Sequence, residues 1–327
     1  MSGLTNYTSG GVDLSYIFQP YVSGATASAT GYKLSNGNDL SNIFAKYVAT
    51  GPTAGVTGYT VGGIDISNRF VIKDPFTTTS TYSYIFDASN NYIVIVTSAG
   101  SFNFIKTVKS LQLVILGGGG GGGGGIDVEN VNGNGYGGAG GAQAILSYND
   151  TSFNSLNKTF TISNIASGGT GGLYNIYGGS SGATGGTTIV SDPSSNIYTL
   201  TGGQGGDVNQ AYIAQSGTCT VSPSNPSYAA LTTGTGGNGG GYYGNGQNSY
   251  LYTSGNNLIT YLGLGGGGGG GEGGYGGSAQ GNGKGGSASG RGTTTASGYG
   301  AGGGSCFQFA NGGNGTPGVV VFYFKYP

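Results

Sequence analysis

Short runs of β-branched and aromatic residues, separated by Ser/Asn/Gly turns, dominate the chain from about Phe76 onward. They predict strands at Tyr82–Phe86, Tyr92–Thr97, Ser101–Ile105, Ser110–Leu116, Ala142–Tyr148, Lys158–Ile162, Thr187–Val190, Ile197–Leu200, Leu258–Leu262 and Gly318–Tyr326. Asn90-Asn91 and Ala99-Gly100 read as hairpin turns. The last run, Val319-Val-Val-Phe-Tyr-Phe, is continuously apolar and reads as buried on both faces. This pattern predicts an all-β chain built as an antiparallel β-sandwich.

The first 75 residues follow a different rule, an internal repeat of period 26. Gly11–Phe18, Asn38–Phe44 and Gly63–Phe70 align, with Asp13, Asp39 and Asp65 and with Phe18, Phe44 and Phe70 in register. Ile17 and Ile43 precede the first two phenylalanines, and Tyr21 and Tyr47 share the period. Each unit reads as an extended piece, a Gly/Asn turn and one helical turn, with the aspartate capping the turn's first amides. A calcium loop would need more carboxylates at fixed spacing, and none accompanies these three. A unit this small cannot bury its own Ile-Phe-Tyr corner, so the repeats, residues 1–73, read as an assembly or anchoring segment. Residues 74–327 read as one glycine-rich sandwich domain.

Composition then changes the picture. Of 327 residues 77 are glycine, and 10 basic plus 11 acidic residues make the whole charge. Glycine near a quarter would suggest disorder, although charge near 6%, against roughly 25% in ordinary proteins, is too little to keep a coil solvated. Yet 25 tyrosines and 13 phenylalanines supply a core that a solvated coil would not carry. The glycines also fall in blocks between strands: the run Gly117–Gly125, then Gly133–Gly141, Gly168–Gly186, Gly234–Gly246, Gly263–Gly286 and Gly298–Gly304. A held glycine block can form an extended threefold rod, the polyglycine analogue of the PPII helix, and such rods approach closely because nothing projects from them. The sandwich is therefore predicted to carry inserted polyglycine-II-like segments. Tyr136, Tyr242, Tyr243, Tyr275 and Tyr299 would then project outward.

Several chemistries are excluded or unsupported. With no histidine, neither a His base nor a Ser-His-Asp triad can exist. Glu129, Asp150, Asp207 and Glu272 are scattered, so no paired general acid and base is visible and no enzyme is predicted. Gly281–Ser287 mimics a phosphate loop, but Gly285-Gly286 follow Lys284 where a helix would have to open. No metal set and no cofactor motif appears. The charge balance gives no footprint for nucleic acid. The apolar runs Leu111–Leu116 and Val319–Phe324 fall far short of the ~20 residues of a membrane helix, so no membrane insertion is predicted. The N-terminus shows neither a basic nor an apolar signal region. Cys219 and Cys306 read as two reduced thiols, though a pair was open on sequence alone.

The strand that runs into "VILGGGGGGGGG", the Gly-Gly-X blocks and the closing "GTPGVVVFYF" resemble the glycine-rich domains of phage tail-fibre and adhesin proteins and of large DNA virus proteins. The "NGNDLSNIFAKY" repeats are similar to modules that precede such domains. The resemblance implies a non-enzymatic structural protein of a virus particle, located on the virion or outside the cell, that assembles through its N-terminal repeats. Its partners would be itself, and capsid or tail proteins. The alternative it implies is an attachment adhesin whose loop tips, at Tyr242, Tyr243 and Tyr275, contact a host receptor or glycan.

Overall fold

The computed structural model describes residues 8–9, 12–13, 60–61, 64–65, 74–87, 91–124, 136–154, 158–175, 178–208, 212–222, 229–240, 245–247, 296–306 and 310–326. The chain divides into two compact units, 1–74 and 75–327.

In the first unit two small hairpins are described. β1 (Thr8–Ser9) pairs with β2 (Val12–Asp13), and β3 (Thr60–Val61) with β4 (Ile64–Asp65). Thr8 faces Asp13 and Thr60 faces Asp65, so two copies of the repeat fold alike two periods apart. A strand ending at the aspartate was not part of the sequence expectation. Asp39, Ile17, Phe18, Tyr21, Ile43, Phe44, Tyr47 and Phe70 lie outside the described residues.

The second unit is an antiparallel β-sandwich of two six-stranded sheets. Its strands are β5 (Phe76–Thr78), β6 (Tyr82–Phe86), β7 (Tyr92–Val96), β8 (Gly100–Phe104), β9 (Lys109–Leu116), β10 (Gln143–Tyr148), β11 (Thr159–Asn164), β12 (Thr188–Ser191), β13 (Ile197–Leu200), β14 (Cys219–Ser222), β15 (Ala229–Gly234) and β16 (Val319–Lys325). One sheet has the order β15-β10-β9-β16-β7-β6 and the other β14-β13-β12-β11-β8-β5. A single helical turn, α1 (Asp150–Asn154), buries Phe153. Its Asp150 carboxylate accepts the Ser110 amide at 2.6 Å, and Asn154 bonds the Val108 backbone.

Between the sheets lies an aromatic core. Phe102 stacks on Phe322 at 3.9 Å and on Phe76 at 4.6 Å, and Tyr92 stacks on Phe324 at 5.0 Å. Phe104 meets Phe324 edge-on and Phe160 meets Phe322 edge-on, and Phe153 packs its ring edge-on against Phe104. Such pairs contribute about 0.5–1.5 kcal/mol each beyond area burial. β16 is buried on both faces: Val320 and Phe322 enter this core, while Val319 and Val321 join Ile93, Val114, Leu116 and Ile145 on the far side.

Two readings are corrected. Ala99-Gly100 is not a hairpin turn, because β7 and β8 belong to opposite sheets and the chain crosses between them. Gly100 is needed at the crossing: its φ is +153°, and a Cβ there would meet Ser80 Oγ at 2.4 Å. Tyr299 does not project into solvent but packs half-buried on the far-side cluster, and Tyr136 is half-buried as well. Both cysteines are free thiols, Cys306 buried and Cys219 half-buried.

Candidate functional site

Eight of the strands do not end in turns. They run on into glycine-rich rods from one end of each sheet. β9 continues as rod 1 (117–124), rod 2 (136–142) leads into β10, β11 continues as rod 3 (166–173), and rod 4 (180–186) leads into β12. β13 continues as rod 5 (201–207), rod 6 (212–218) leads into β14, β15 continues as rod 7 (235–240), and rod 9 (311–318) leads into β16. Rod 8 (300–306) completes the set among the described residues. The register explains the common origin. Leu116 faces both Gln143 and Val319, and Leu200 faces both Thr188 and Cys219, so the strand ends line up and launch the rods side by side.

Rod 1 is the axis. Its amides rotate donors among three antiparallel neighbours with a period of three. Gly117, Gly120 and Gly123 donate to Ala142, Ala139 and Tyr136 of rod 2; Gly118, Gly121 and Gly124 donate to Gly186, Ala183 and Ser180 of rod 4; Gly119 and Gly122 donate to Thr316 and Gly313 of rod 9. Its carbonyls accept from three parallel neighbours, through Gly169 and Gly172 of rod 3, Gly203 and Gly206 of rod 5, and Gly303 of rod 8. The six surrounding rods close a ring by bonding in turn: 2 to 5, 5 to 4, 4 to 3, 3 to 9, 9 to 8, and 8 back to 2. Rods 6 and 7 bond each other and flank the ring at rods 2 and 5. This is a hexagonal array of threefold helices, with direction alternating around the ring.

The array fixes the sequence. A Cβ on rod 1 would sit 2.0 Å from the Thr170 carbonyl oxygen at Gly121, 2.0 Å from that of Ala301 at Gly119, and 2.1 Å from that of Gln204 at Gly120. All three side-chain directions of an enclosed rod are blocked by rigid backbone, so it must be glycine throughout. On rods 3, 5 and 9 one direction in three is open, and every third residue there carries an outward side chain. Ser167, Thr170 and Leu173 on rod 3, Thr201, Gln204 and Asp207 on rod 5, and Asn311, Asn314 and Pro317 on rod 9 hold those positions.

These third residues also end the array. A perimeter amide with no further rod beside it still needs an acceptor. Asn314 Oδ1 accepts Gly171 N at 2.8 Å, Asn311 Oδ1 accepts Tyr174 N at 2.7 Å, and Ser180 Oγ accepts Leu173 N at 2.8 Å. Asn238, Gln204 and Thr201 do the same for Ser216, Gln215 and Thr218. Pro317, exposed in phase with Asn311 and Asn314, has no amide to satisfy. At the sheet junction the buried Thr188 hydroxyl donates to Leu116 O at 2.6 Å and accepts Ala166 N at 3.1 Å, splicing strand to rod.

The array's electrostatics are bare. Asp207 is the one charged residue within the nine rods, and its carboxylate accepts the Ser181 hydroxyl at 3.0 Å. Among the described residues no group of three or more His, Cys, Asp or Glu could hold a metal, and no helix is long and apolar enough to cross a membrane. An open groove of about 350 Å³ runs between rods 3 and 9, lined by Thr170, Gly171, Leu173 and 311–314. Leu173, 64% exposed on rod 3, and the exposed Tyr212 and Ile213 on rod 6 each lie at a rod end away from the sheets. Sequence reading missed these three; the Gly-Gly-X phase, which puts Leu173 in line with Ser167 and Thr170, was the signal that marks it. Tyr242, Tyr243 and Tyr275 lie outside the described residues.

A β-sandwich whose strands extend into a closed bundle of glycine rods defines an all-β, glycine-rich domain. The chain belongs to the glycine-rich domain family, whose model matches residues 96–325, the span from the last residue of β7 through β16 that contains every rod described. A comparison with curated proteins finds no match to the chain.

Proposed function

We propose that the chain is a non-enzymatic structural protein of a virus particle, a surface or fibre component that joins its own kind, or capsid and tail proteins, through the N-terminal repeats. The observation that carries this reading is the closed ring of rods. It spends its polar backbone on itself, ends its own growth with Asn, Ser, Thr and Gln side chains, and holds almost no charge. Such a body suits a rigid, inert spacer. The repeats, the first two of which carry an Ile-Phe-Tyr set in sequence (Ile17, Phe18, Tyr21 and Ile43, Phe44, Tyr47) that a unit this small cannot bury alone, are the natural place for adhesion between subunits. Electron micrographs of the purified full chain test this: filaments or ordered clusters are expected, and they should disperse when Phe18, Phe44 and Phe70 are all changed to serine. Discrete single molecules at every concentration would refute it.

A second reading, host attachment, is favoured by the rod 3–rod 9 groove and by Leu173, Tyr212 and Ile213 at the far rod ends. Binding to host cells or glycans that falls on changing Leu173→Asp and Tyr212→Ser, with thermal stability unaltered, would select it.

A further inference from the structure

Three of the side chains that close the array's perimeter are asparagines followed by glycine: Asn238-Gly239 on rod 7, and Asn311-Gly312 and Asn314-Gly315 on rod 9. Each pair grips one neighbouring rod at two points. Asn314 Oδ1 accepts the Gly171 amide at 2.8 Å while Gly315 N donates to Gly169 O at 2.9 Å. Asn311 Oδ1 accepts the Tyr174 amide at 2.7 Å while Gly312 N donates to Gly172 O at 2.8 Å. Against rod 6, Asn238 Oδ1 accepts the Ser216 amide at 2.9 Å while Gly239 N donates to Ala214 O at 3.0 Å. The array dictates both residues of each pair. The asparagine must supply an acceptor to the rod beside it. A Cβ on the next residue would strike a backbone carbonyl oxygen, that of Gly137 at 239, Gly122 at 312 and Gly119 at 315.

The same two requirements produce the dipeptide most prone to deamidation, because glycine puts no side chain in the way of its own nitrogen. That nitrogen loses its proton to water or hydroxide and bonds to the asparagine Cγ. The Cγ–Nδ2 bond breaks, ammonia leaves with a proton, and a cyclic imide remains. Water then opens the imide. Cleavage of the new N–Cγ bond gives aspartate. Cleavage between the nitrogen and the main-chain carbonyl carbon gives isoaspartate, whose chain runs on through Cβ and Cγ. Solvent water is the co-reactant, and Asn311 and Asn314 face it, exposed along the groove between rods 3 and 9.

We propose that Asn238, Asn311 and Asn314 are latent deamidation sites, kept unreactive by the closed array and released when rod 7 parts from rod 6 or rod 9 from rod 3. In the array the attacking nitrogen holds its proton in a hydrogen bond, and the carboxamide is tied to the neighbouring rod. Extended threefold backbone also turns that nitrogen aside from Cγ. Ring closure needs a rotation about the asparagine Cα–C bond, which both grips oppose. Reaction therefore passes through an open state, at a rate scaled by that state's population. Its isoaspartate branch is one-way. The rod gains a backbone atom, and donors beyond that point no longer meet acceptors spaced for a threefold helix. Aspartate still accepts the neighbouring amide and leaves the grip whole.

The test is peptide-resolved mass spectrometry of the full chain in mildly alkaline buffer, folded and in urea. In the folded chain the three sites should deamidate ~10-fold or more slower than in urea, in the order in which the Gly239, Gly312 and Gly315 amides exchange. Folded chain aged to partial reaction is then digested with protease. Isoaspartate at 238, 311 and 314 should be enriched several-fold in the cleaved molecules over the resistant ones. Equal rates of deamidation folded and in urea would overturn the proposal. So would slow deamidation at Asn314 beside a freely exchanging Gly315 amide, or resistant molecules as rich in isoaspartate at these sites as cleaved ones.

Discussion

The sandwich and the rod bundle are continuous along eight strands, yet they exclude water in opposite ways. The sandwich fills its interior with side chains, stacking Phe76, Phe102 and Phe322 between sheets. The bundle has no side chains to fill with. Its centre is backbone against backbone, with carbonyl oxygens where Cβ atoms would be. A side-chain core can repack around a change of shape, because rotamers and neighbouring methyl groups adjust. A backbone core cannot, because the groups in the way are fixed by the hydrogen bonds that define the array. Ordering glycine is also entropically expensive, so the rods depend on being launched in register from rigid strand ends.

The difference can be broken at its strongest point first. Gly121→Val in rod 1 aims a side chain at the Thr170 carbonyl, 2.0 Å from the first added atom. The expected loss exceeds ~4 kcal/mol, beyond what most single changes cost, and would appear as loss of the cooperative melt. Phe322→Ala in the sandwich should cost about 3–5 kcal/mol, while the volume-conserving Leu113→Met should cost under ~1.5 kcal/mol. No equivalent mild substitution exists on rod 1, and a tolerated Gly121→Ala would erase the distinction. On the perimeter, Asn314→Ala should cost about 1 kcal/mol and raise hydrogen exchange at the Gly171 amide it now caps. Thr170→Ala, at an outward position of rod 3, should stay within ~0.5 kcal/mol.

The smallest effect is one of pH. Burial pushes the Cys219 thiol from 9.0 up to about 11. The folded chain therefore holds that proton more tightly than the unfolded one, and the contribution is intact below pH 9 and lost as pH rises toward 11. The C219S chain should show a shallower decline in stability over that window in parallel melts.

Much of the sandwich was legible because its strands alternate or run continuously apolar. Tyr82–Phe86 and Ile197–Leu200 match β6 and β13 residue for residue, and the double burial of β16 follows from its unbroken apolar run. β5, β14 and β15 were missed: Phe-Thr-Thr, Cys-Thr-Val-Ser and Ala-Ala-Leu-Thr-Thr-Gly are edge strands, short or weakly patterned, that owe their pairing to neighbours distant in sequence. The rods were legible as glycine blocks. Their closed ring was not, because which rods touch depends on the order of strands in two sheets. What the run Gly117–Gly124 did encode is enclosure, since only a rod shielded on every side must lack side chains throughout. The hairpins ending at Asp13 and Asp65 were hidden behind a plausible capping role for the same aspartates.

The central claim is that the glycines are held by hydrogen bonds to one another as firmly as strands are. Amide hydrogen exchange of the full chain reads this directly. The Gly118–Gly124 amides, each donating to rod 2, 4 or 9, should exchange within about tenfold of the Leu113–Leu116 amides of β9, as members of one cooperative unit. Exchange of those glycines at the rate of an open chain, with β9 still protected, would contradict the account.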